Sequence, residues 1–596
     1  MVGVNKVGAA GRSRRFYCAI GMLLGIISCG TVSAESVVRS APDYAVVAQQ
    51  LRQQMTELMD DEDIAGMSIA LIDGDRIVWS DGVGYADKEN KIPATARTVY
   101  QQGSISSTFT ALAIMQLVAQ GKVDLDAPVT RYLPQFSMVM PAGQSLQAIT
   151  IRRLLSHHAG LPLSQFKGMW EEQPISLQQW QTQMKDVAAS YPVDYVFAYS
   201  NLGYDLLGRV VEVVSGQPFA QYMQQKIFTP LRLESSGYSL RDKYAPRMAV
   251  GYKKQERRPL LPTRDLPAVG LNSSVEDVAT LAIQMMQRGG DGVLPEHLRR
   301  QMMSVQNSQV ERDLGRDVGF AWRLGPLPAM REYQMVWSLG AAMTHRSRVA
   351  FVPELNIGVV VAANSSQSFR AVEKMSNAAL RVMLEARLGR VQASDEVSVP
   401  PLATALEPFA PAYAGFLGLL QVTKDGNEYD VNLLGWDFRL IPRGDGWYRL
   451  EYDLFGLIPL KLDWIAQVSV AATSVQGQRV AVVSYLGVNY LFAQALAPVK
   501  PTAVWNSRRG RYAPAQMDSL LRHYEVTAGE LKFADGYYFF EYKLPYWVPL
   551  KMRLPLVPVS AQEMRIPGIG TGLGERVKFD AQGRAWYSGY ELQRVN

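Results

Sequence analysis

A repeated segment in the C-terminal third of the chain is the feature that most restricts its fold. Residues 445–461 read DGWYRLEYDLFGLIPLK, and residues 535–551 read DGYYFFEYKLPYWVPLK, ninety positions later and without a gap. Such agreement at one spacing indicates two copies of the same structural unit. The surrounding sequence consists of short aromatic-rich runs separated by Gly, Pro and Asp, which is typical of strands joined by turns. We therefore predict two barrel-like β-rich units, residues 395–500 and 501–596.

The region before these repeats has strands at its two ends and helices between them. Apolar runs flank Asp73–Asp75 and again Pro353–Asn356, and each pair of runs predicts a β-hairpin. Residues 108–120 and 202–214 have the apolar spacing expected for helices, and a glycine lies just after each segment. The pattern predicts one α+β domain over residues 40–390, with its terminal strands in a single antiparallel sheet.

The N-terminus has the order of an export signal. Basic residues precede an apolar run over residues 16–28, and small residues follow, ending at Ala34. This order predicts a signal peptide over residues 1–34 and an exported protein, periplasmic or secreted. The residues before Cys29 also resemble a lipobox. Lipidation of Cys29, which would anchor the chain to a membrane, is the alternative to cleavage after Ala34.

Charge and cysteine content exclude several classes of function. Four of the net six positive charges lie in residues 1–34, so the rest of the chain is nearly neutral and gives no reason to expect nucleic acid. Both cysteines, Cys18 and Cys29, lie in the same segment, and the five histidines lack the spacing of a zinc motif. We expect no metal and no cofactor, while the oligomeric state stays open.

Ser104 stands at the start of a nearly all-apolar segment. A helix that is apolar on all sides is buried, and the positive end of its dipole would lie at Ser104. There the backbone N–H of Ser104 could stabilise an oxyanion. The alternative is an N-cap serine, the commonest role at such a position, and this feature alone favours the cap.

Four ordered segments change that interpretation. They are Gly103–Asp126, Leu154–Pro162, Tyr199–Asn201 and Val349–Glu354. Over about residues 45–385 the chain resembles the serine β-lactamase and penicillin-binding-protein family, which includes class C β-lactamases, D-alanyl-D-alanine carboxypeptidases and esterases. The resemblance implies an α/β sandwich beside a helical lobe, and a small-molecule or peptide substrate, such as one derived from peptidoglycan. It also implies that Ser104 is acylated, that Tyr199 is the general base and that Asn201 contacts the substrate amide.

The first departure from this family lies one helical turn after the nucleophile. The family has a lysine there, which supplies positive charge and relays a proton. This chain has Ser107. A hydroxyl can form a hydrogen bond with Ser104, but it cannot lower the pKa of a neighbouring tyrosine from about 10, because that requires nearby positive charge.

The second departure lies in the family motif that consists of Lys or His, any residue, and Gly. Counting back from the strand at residue 349 places this motif at Ser338–Gly340, so its cation is also absent. Gly340 keeps the small residue that would let substrate approach the strand. The N–H of Ala341 could complete an oxyanion hole with that of the nucleophile. His345 or Arg346 could return positive charge to the site, although we favour solvated loop positions for both.

Three further features are interpreted as structural. We assign no chemical role to His157 or His158, and we interpret the stretch 568–574 as a glycine-rich turn, because no strand and helix flank it as a phosphate loop requires. Alternating apolar residues in the β units could line a barrel for a hydrophobic ligand or form its core, and we favour the core.

Two functions are compatible with these residues. The first is a serine hydrolase that acts on a peptide, ester or lactam through Ser104, with Tyr199 as base. The second is an inactive binding protein that holds a cell-wall peptide, a lipid or a protein partner. Members of a catalytic unit fail together, so the loss of two cations favours severely impaired or absent hydrolysis.

Overall fold

The computed structural model of the chain describes residues 44–240, 243–289, 292–327, 330–389, 399–402, 404–434, 436–454, 458–460, 467–485, 487–543 and 551–595. The expected signal segment, residues 1–34, lies outside these ranges together with both cysteines. Within them, none of the helices is long and apolar enough to cross a membrane.

The first domain is built on an antiparallel sheet. The strands described before residue 390 are β1 Gly66–Asp73, β2 Arg76–Asp87, β3 Ile92–Pro93, β4 Tyr100–Gln101, β5 Gly251–Lys253, β6 Glu256–Arg258, β7 Asn272–Ser273, β8 Arg323–Leu327, β9 Met330–Ala341, β10 Arg346–Val352 and β11 Ile357–Ala363. Seven of them form the main sheet, in the order β3-β2-β1-β11-β10-β9-β8. The short strands β4 and β7 pair with each other, as do β5 and β6.

The first and last hairpins meet at the centre of the sheet, as the sequence predicts. Strand β1 pairs with β11 in antiparallel register, with Met67 opposite Ala363. Every residue of β11 is buried because both faces of the sheet are covered. Alternate residues point to opposite faces, so Val359 and Val361 enter one core while Val360 and Ala362 enter the other.

Helices cover both faces of this sheet. The described helices are α1 Tyr44–Asp61, α2 Ser106–Ala119, α3 Ile151–Leu155, α4 Leu177–Gln183, α5 Asn201–Ser215, α6 Phe219–Met223, α7 Leu266–Val269, α8 Val275–Met286, α9 Glu296–Met302, α10 Phe369–Leu388, α11 Ala503–Ser507 and α12 Ser519–His523. Helices α1 and α10 pack on one face. The lobe on the other face surrounds α2, in which eleven of fourteen residues are buried. The predicted α+β sandwich with a helical lobe is confirmed.

In the described ranges, strands form the walls of the two C-terminal units. They are β12 Leu406–Glu407, β13 Ala412–Gly415, β14 Gly418–Asp425, β15 Glu428–Leu433, β16 Trp436–Pro442, β17 Tyr448–Leu454, β18 Ile458–Leu460, β19 Val468–Val475, β20 Gln478–Tyr485, β21 Val488–Ala495, β22 Gly510–Pro514, β23 Gly529–Ala534, β24 Tyr537–Lys543, β25 Lys551–Pro558, β26 Glu563–Arg565, β27 Arg576–Phe579, β28 Ala585–Tyr587 and β29 Tyr590–Val595.

Each unit closes into a barrel of eight strands, so the prediction of two barrel-like units is confirmed. In the first unit β12 pairs with β19 and β18 pairs with β17, and neither β12 nor β18 belongs to the closed ring. In the first barrel β13 pairs with β21, and the pairing of β17 with β19 closes the ring. In the second barrel the strands follow one another from β22 to β29, and β29 pairs back with β22. Closure removes the unpaired edges that an open sheet would expose.

Candidate active site

The nucleophile candidate lies on a tight turn pressed against the end of β9. Gly103 begins this turn with φ of +54°, and a Cβ there would lie 2.4 Å from the backbone nitrogen of Ala341. Helix α2 begins at Ser106, and Ser104 does not cap it with its side chain. The cap interpretation of Ser104 is therefore wrong, and the backbone of its turn lies beside Ala341, as an oxyanion hole between the two residues requires.

Gly340 has a different use from the one expected. A Cβ at Gly340 would lie 2.0 Å from the carbonyl oxygen of Gln102 and 2.3 Å from Oγ of Ser347. The space that a side chain of Gly340 would need is therefore filled by the backbone that precedes the nucleophile and by Ser347. This residue positions the nucleophile turn because any side chain there would push the turn away from β9.

Tyr199 is held at the start of α5 by contacts on both sides. The Oγ of Ser200 caps the helix by accepting the N–H of Gly203 at 3.1 Å, and the N–H of Ser200 donates to Nδ1 of His157, also at 3.1 Å. The ring of His157 lies against that of Tyr199, with 4.4 Å between centroids. Burial lowers the pKa of His157 well below its usual value, so the ring is neutral. His157 thus supports the predicted base.

The glycine-rich turn of the second barrel supplies another contact to Tyr199. The N–H of Tyr199 donates to Oγ1 of Thr571 at 3.0 Å. Glycines at 568, 570, 572 and 574 all have positive φ, and a Cβ at Gly574 would lie 2.6 Å from the carbonyl oxygen of Ser190. The turn therefore packs on the first domain. Sequence reasoning gave it no role, because the contact joins residues 372 positions apart.

The hydroxyl of Tyr199 faces Ser104 on the nucleophile turn and Ser107 in the first turn of α2. Ser104 and Ser107 are its hydrogen-bonding neighbours and lower its pKa, although neither contact has complete hydrogen-bond geometry. Burial outweighs them and raises the pKa of Tyr199 above its usual value. The predicted nucleophile and base are thus adjacent, but the raised pKa keeps the ionised fraction of Tyr199 small.

Ser107 occupies the position of the family lysine, and its hydroxyl already forms a hydrogen bond within the protein. It is buried, and its Oγ donates to the carbonyl oxygen of Ala268 at 3.2 Å. Near Ala268 lies the buried carboxyl of Asp205, which has no hydrogen bond of good geometry among the described residues and whose pKa is raised well above its usual value by burial and by neighbouring Asp265. Because Arg264 donates to Asp265 at 2.6 Å, the proton of the carboxyl pair belongs on Asp205. The hydrogen-bond partner of Ser107 is therefore a neutral carbonyl, where the family has a cation.

The third motif brings no cation to the site either. Ser338 is buried on β9. His345 is fully buried, so the expectation of a solvated loop position for it is wrong. Its Nδ1 accepts the N–H of Gln101 at 2.8 Å, and burial with the neighbouring Arg346 lowers its pKa to about 3. Arg346 donates to the carbonyl oxygens of Ala342 and His345 within its own turn.

Arg323 is the cation that sequence reasoning missed. It begins β8, directly opposite Trp337 in the sheet register. Its guanidinium lies 5.3 Å from the ring centroid of Phe197 and 5.4 Å from that of Trp337. One nitrogen of the guanidinium is buried without a hydrogen-bond partner among the described residues. The charge of Arg323 lowers the pKa of Tyr199. Positive charge therefore reaches the site from a strand that carries no recognised sequence motif.

Asn201 lies at the same end of the site. Its amide nitrogen donates to Oγ of Ser164 at 2.7 Å, and its Oδ1 is buried without a partner among the described residues. That oxygen is therefore an acceptor that the described part of the protein leaves unused. No group of three or more His, Cys, Asp or Glu side chains in the described ranges could hold a metal ion.

Comparison with known proteins places this site in a family. The family model described as Beta-lactamase matches residues 51–382, which is more than half of the chain. The chain belongs to the β-lactamase family. The family assignment agrees with the resemblance of its four sequence segments and with the sandwich fold.

Individual relatives of this β-lactamase-family chain are distant. Protein flp of Staphylococcus aureus (strain MRSA252) is 24% identical over 318 residues, covering 51% of this chain and 60% of flp. Unguisins hydrolase ungD' of Aspergillus campestris (strain IBT 28561) is 26% identical over 338 residues, covering 54% of this chain and 62% of that protein. The chain therefore spans about 60% of the length of these relatives.

The crystal structure of SurE resembles the fold over a longer stretch. Its TM-score is 0.56 at 22% identity, and the match covers 76% of this chain and 100% of SurE. The shared fold therefore extends beyond residues 51–382, into the region of the barrels.

A large cavity connects the active site of this β-lactamase-family chain with the second barrel. Its volume is about 640 Å³, and Ser104, Asn201 and Ala341 line one end of it. The wall continues along residues that point into the barrel, among them Leu531, Phe540 and Leu592. The inner residues of the second barrel, which were expected to form its core, thus also line a cavity.

Proposed function

We propose that this chain is an exported serine hydrolase of low activity, which transfers an acyl group from an ester, peptide or lactam to water. The adjacency of the Tyr199 and Ser104 hydroxyls at the start of the buried helix α2 carries this proposal. Export rests on the order of charged, apolar and small residues in positions 1–34.

The reaction uses groups that already lie together. Oγ of Ser104 attacks the substrate carbonyl, and the tyrosinate form of Tyr199 accepts the proton and passes it to the leaving group. The N–H groups of Ser104 and Ala341 stabilise the oxyanion, and Oδ1 of Asn201 orients the substrate. Water then attacks the acyl-enzyme and restores the serine.

Low activity follows from the charge around the base. The pKa of Tyr199 is raised by burial, and its lysine neighbour in the family is replaced by Ser107. Arg323 offsets this effect only in part. The same raised pKa favours the second candidate function, a binding protein that no longer turns over its ligand.

Covalent labelling separates the two functions. We expect a fluorophosphonate to add once to the folded chain, with loss of fluoride, and Ser104→Ala to prevent the addition. Intact-protein mass spectrometry detects the adduct, and peptide mapping locates it. A folded wild-type chain that stays unlabelled after long incubation would favour the binding protein, as would a label on a different residue.

Arg323 offers a test of the electrostatics through the pH dependence of the same reaction. The rate rises with pH toward the pKa of Tyr199, and removal of a nearby cation raises that pKa. Arg323→Met should therefore move the pH–rate curve to higher pH and lower the rate at fixed pH by about three- to tenfold. Arg323→Lys keeps the charge and serves as control. An unchanged curve in folded Arg323→Met would remove Arg323 from the mechanism.

A further inference from the structure

The cavity that begins at Ser104 has the wall of a hydrophobic ligand site. Its lining inside the second barrel includes Leu531, Phe540, Leu554, Leu556, Val577 and Leu592. Leu554 and Leu556 lie two positions apart on β25, as residues on the inner face of one strand must. A barrel of eight strands is wide enough to enclose one small ligand when its inner side chains do not fill it.

Of the five tyrosines that line this cavity, three have hydroxyls that are engaged by the protein. The hydroxyl of Tyr512 donates to the carbonyl oxygen of Arg508 at 2.8 Å, and that of Tyr590 donates to Asp518 at 2.5 Å. The hydroxyl of Tyr587 lies near the buried carboxyl of Glu575, and burial together with this carboxyl raises the pKa of Tyr587. These three hydroxyls therefore have partners in the protein and need none from a ligand.

Polar groups that lack such partners are found at the other end. Oδ1 of Asn201 is buried and has no partner among the described residues, and Asn201 and Ser104 both line that end of the cavity. The cavity is thus polar where the carbonyl chemistry takes place and apolar along the barrel. An occupant of matching chemistry has one polar head and a long apolar tail.

A peptide does not match this division. Each amide group placed against the apolar wall would lose its hydrogen bonds to water without replacement, which opposes binding. An aliphatic chain needs no such partners. A water-sized group takes about 30 Å³, so the cavity has room for on the order of twenty methylene-sized groups.

We propose that the second barrel is an acyl-chain site and that the substrate is a long-chain acyl ester whose carbonyl lies at Ser104. The cleavage step rests on the proposed hydrolase function. Oγ of Ser104 forms a bond with the acyl carbon, and the bond from that carbon to the alcohol oxygen breaks. The proton of Ser104 reaches the departing alcohol through Tyr199. Water then cleaves the acyl-enzyme, releases the fatty acid and restores the serine hydroxyl.

Two measurements on the full chain test this proposal. The first is the hydrolysis of p-nitrophenyl esters with acyl chains of increasing length, for which kcat/KM should rise about fourfold per methylene until the cavity is full. The second is the fluorescence of 11-(dansylamino)undecanoic acid, which should increase on binding to Ser104→Ala, a variant that cannot turn over an ester.

A matched pair of substitutions locates the site. Ala585 lines the cavity, so Ala585→Phe should fill it, abolish the dependence on chain length and weaken binding of the dansyl probe by at least tenfold. Gln593 is exposed on the neighbouring strand β29, so Gln593→Phe adds the same side chain outside the barrel. It should change neither the dependence on chain length nor the binding of the dansyl probe. Circular dichroism establishes that both variants are folded.

The outcomes distinguish this proposal from the function on which it rests. Ser104-dependent hydrolysis of short esters without any gain from longer chains, and without binding of the probe, would overturn the acyl-chain site and leave the hydrolase. Binding of the probe that Ala585→Phe abolishes, with no hydrolysis of any ester, would support the chain site and overturn the hydrolase. Both measurements are made on folded wild-type or Ser104→Ala protein. They therefore support or overturn the acyl-chain site even if Ala585→Phe does not fold.

Discussion

Ser107→Lys is expected to accelerate acylation of Ser104 by about a hundredfold, which is within the range of general acid–base catalysis. The ammonium would stand beside the Tyr199 hydroxyl, which Ser107 already neighbours, and would stabilise the tyrosinate. The pKa of Tyr199 would fall, so the pH–rate curve should move to lower pH. The second-order rate of fluorophosphonate labelling measures both effects.

The surroundings of Ser107 are suited to accept this charge. The Ser107 hydroxyl contacts the carbonyl of Ala268, and the buried carboxyl of Asp205 lies near the same peptide. Asp205 can lose its proton to become the counter-ion of a new lysine, so the lysine need not stay neutral. Extra side-chain volume in this buried position is expected to lower the free energy of unfolding by about 1–3 kcal/mol.

Ser107→Met is the control for that gain. Methionine adds similar length without charge, so its variant should share the loss of stability but not the faster labelling. Asp205→Asn in the lysine variant should reduce the gain, because it removes the counter-ion. If folded Ser107→Lys labels no faster than Ser107→Met, the missing cation at this position does not limit the reaction.

Local sequence patterns were sufficient for the elements of the fold. The two hairpins around residues 73–75 and 353–356 were visible because apolar runs flank short turn sequences, and burial of β11 on both faces explains its continuous apolar run. The repeat at residues 445–461 and 535–551 predicted two similar units because a repeated pattern needs no knowledge of tertiary contacts.

Contacts between distant segments account for what the sequence did not reveal. Arg323 on β8 lowers the pKa of Tyr199, and Thr571 accepts the N–H of Tyr199 from the second barrel, with no motif at either position. The polar neighbours of His345 suggest a solvated turn. In the structure the Nδ1 of His345 instead accepts the N–H of Gln101 on β4. A hollow barrel and a filled one have the same alternating pattern, because the difference depends on the summed volume of all inner side chains.

Tyr199→Phe is expected to separate catalysis from stability. As the proton acceptor, the hydroxyl should contribute about 10²- to 10⁴-fold to kcat/KM. Yet it is buried and completes no hydrogen bond of good geometry among the described residues, so its removal should not lower the free energy of unfolding. Phenylalanine keeps the ring that packs at 4.4 Å on His157.

Tyr204→Phe is the matched control for this substitution. Tyr204 also packs on His157, with 5.0 Å between ring centroids, but its hydroxyl donates to the carbonyl oxygen of Leu155 at 2.7 Å. Its removal should therefore cost about 0.5–1.5 kcal/mol in urea unfolding while kcat/KM is preserved. If Tyr199→Phe retains full activity toward an ester that labels Ser104, another group must accept the proton. If it loses stability as Tyr204→Phe does, the Tyr199 hydroxyl is a structural hydrogen-bonding group, and its position beside Ser104 does not identify a base.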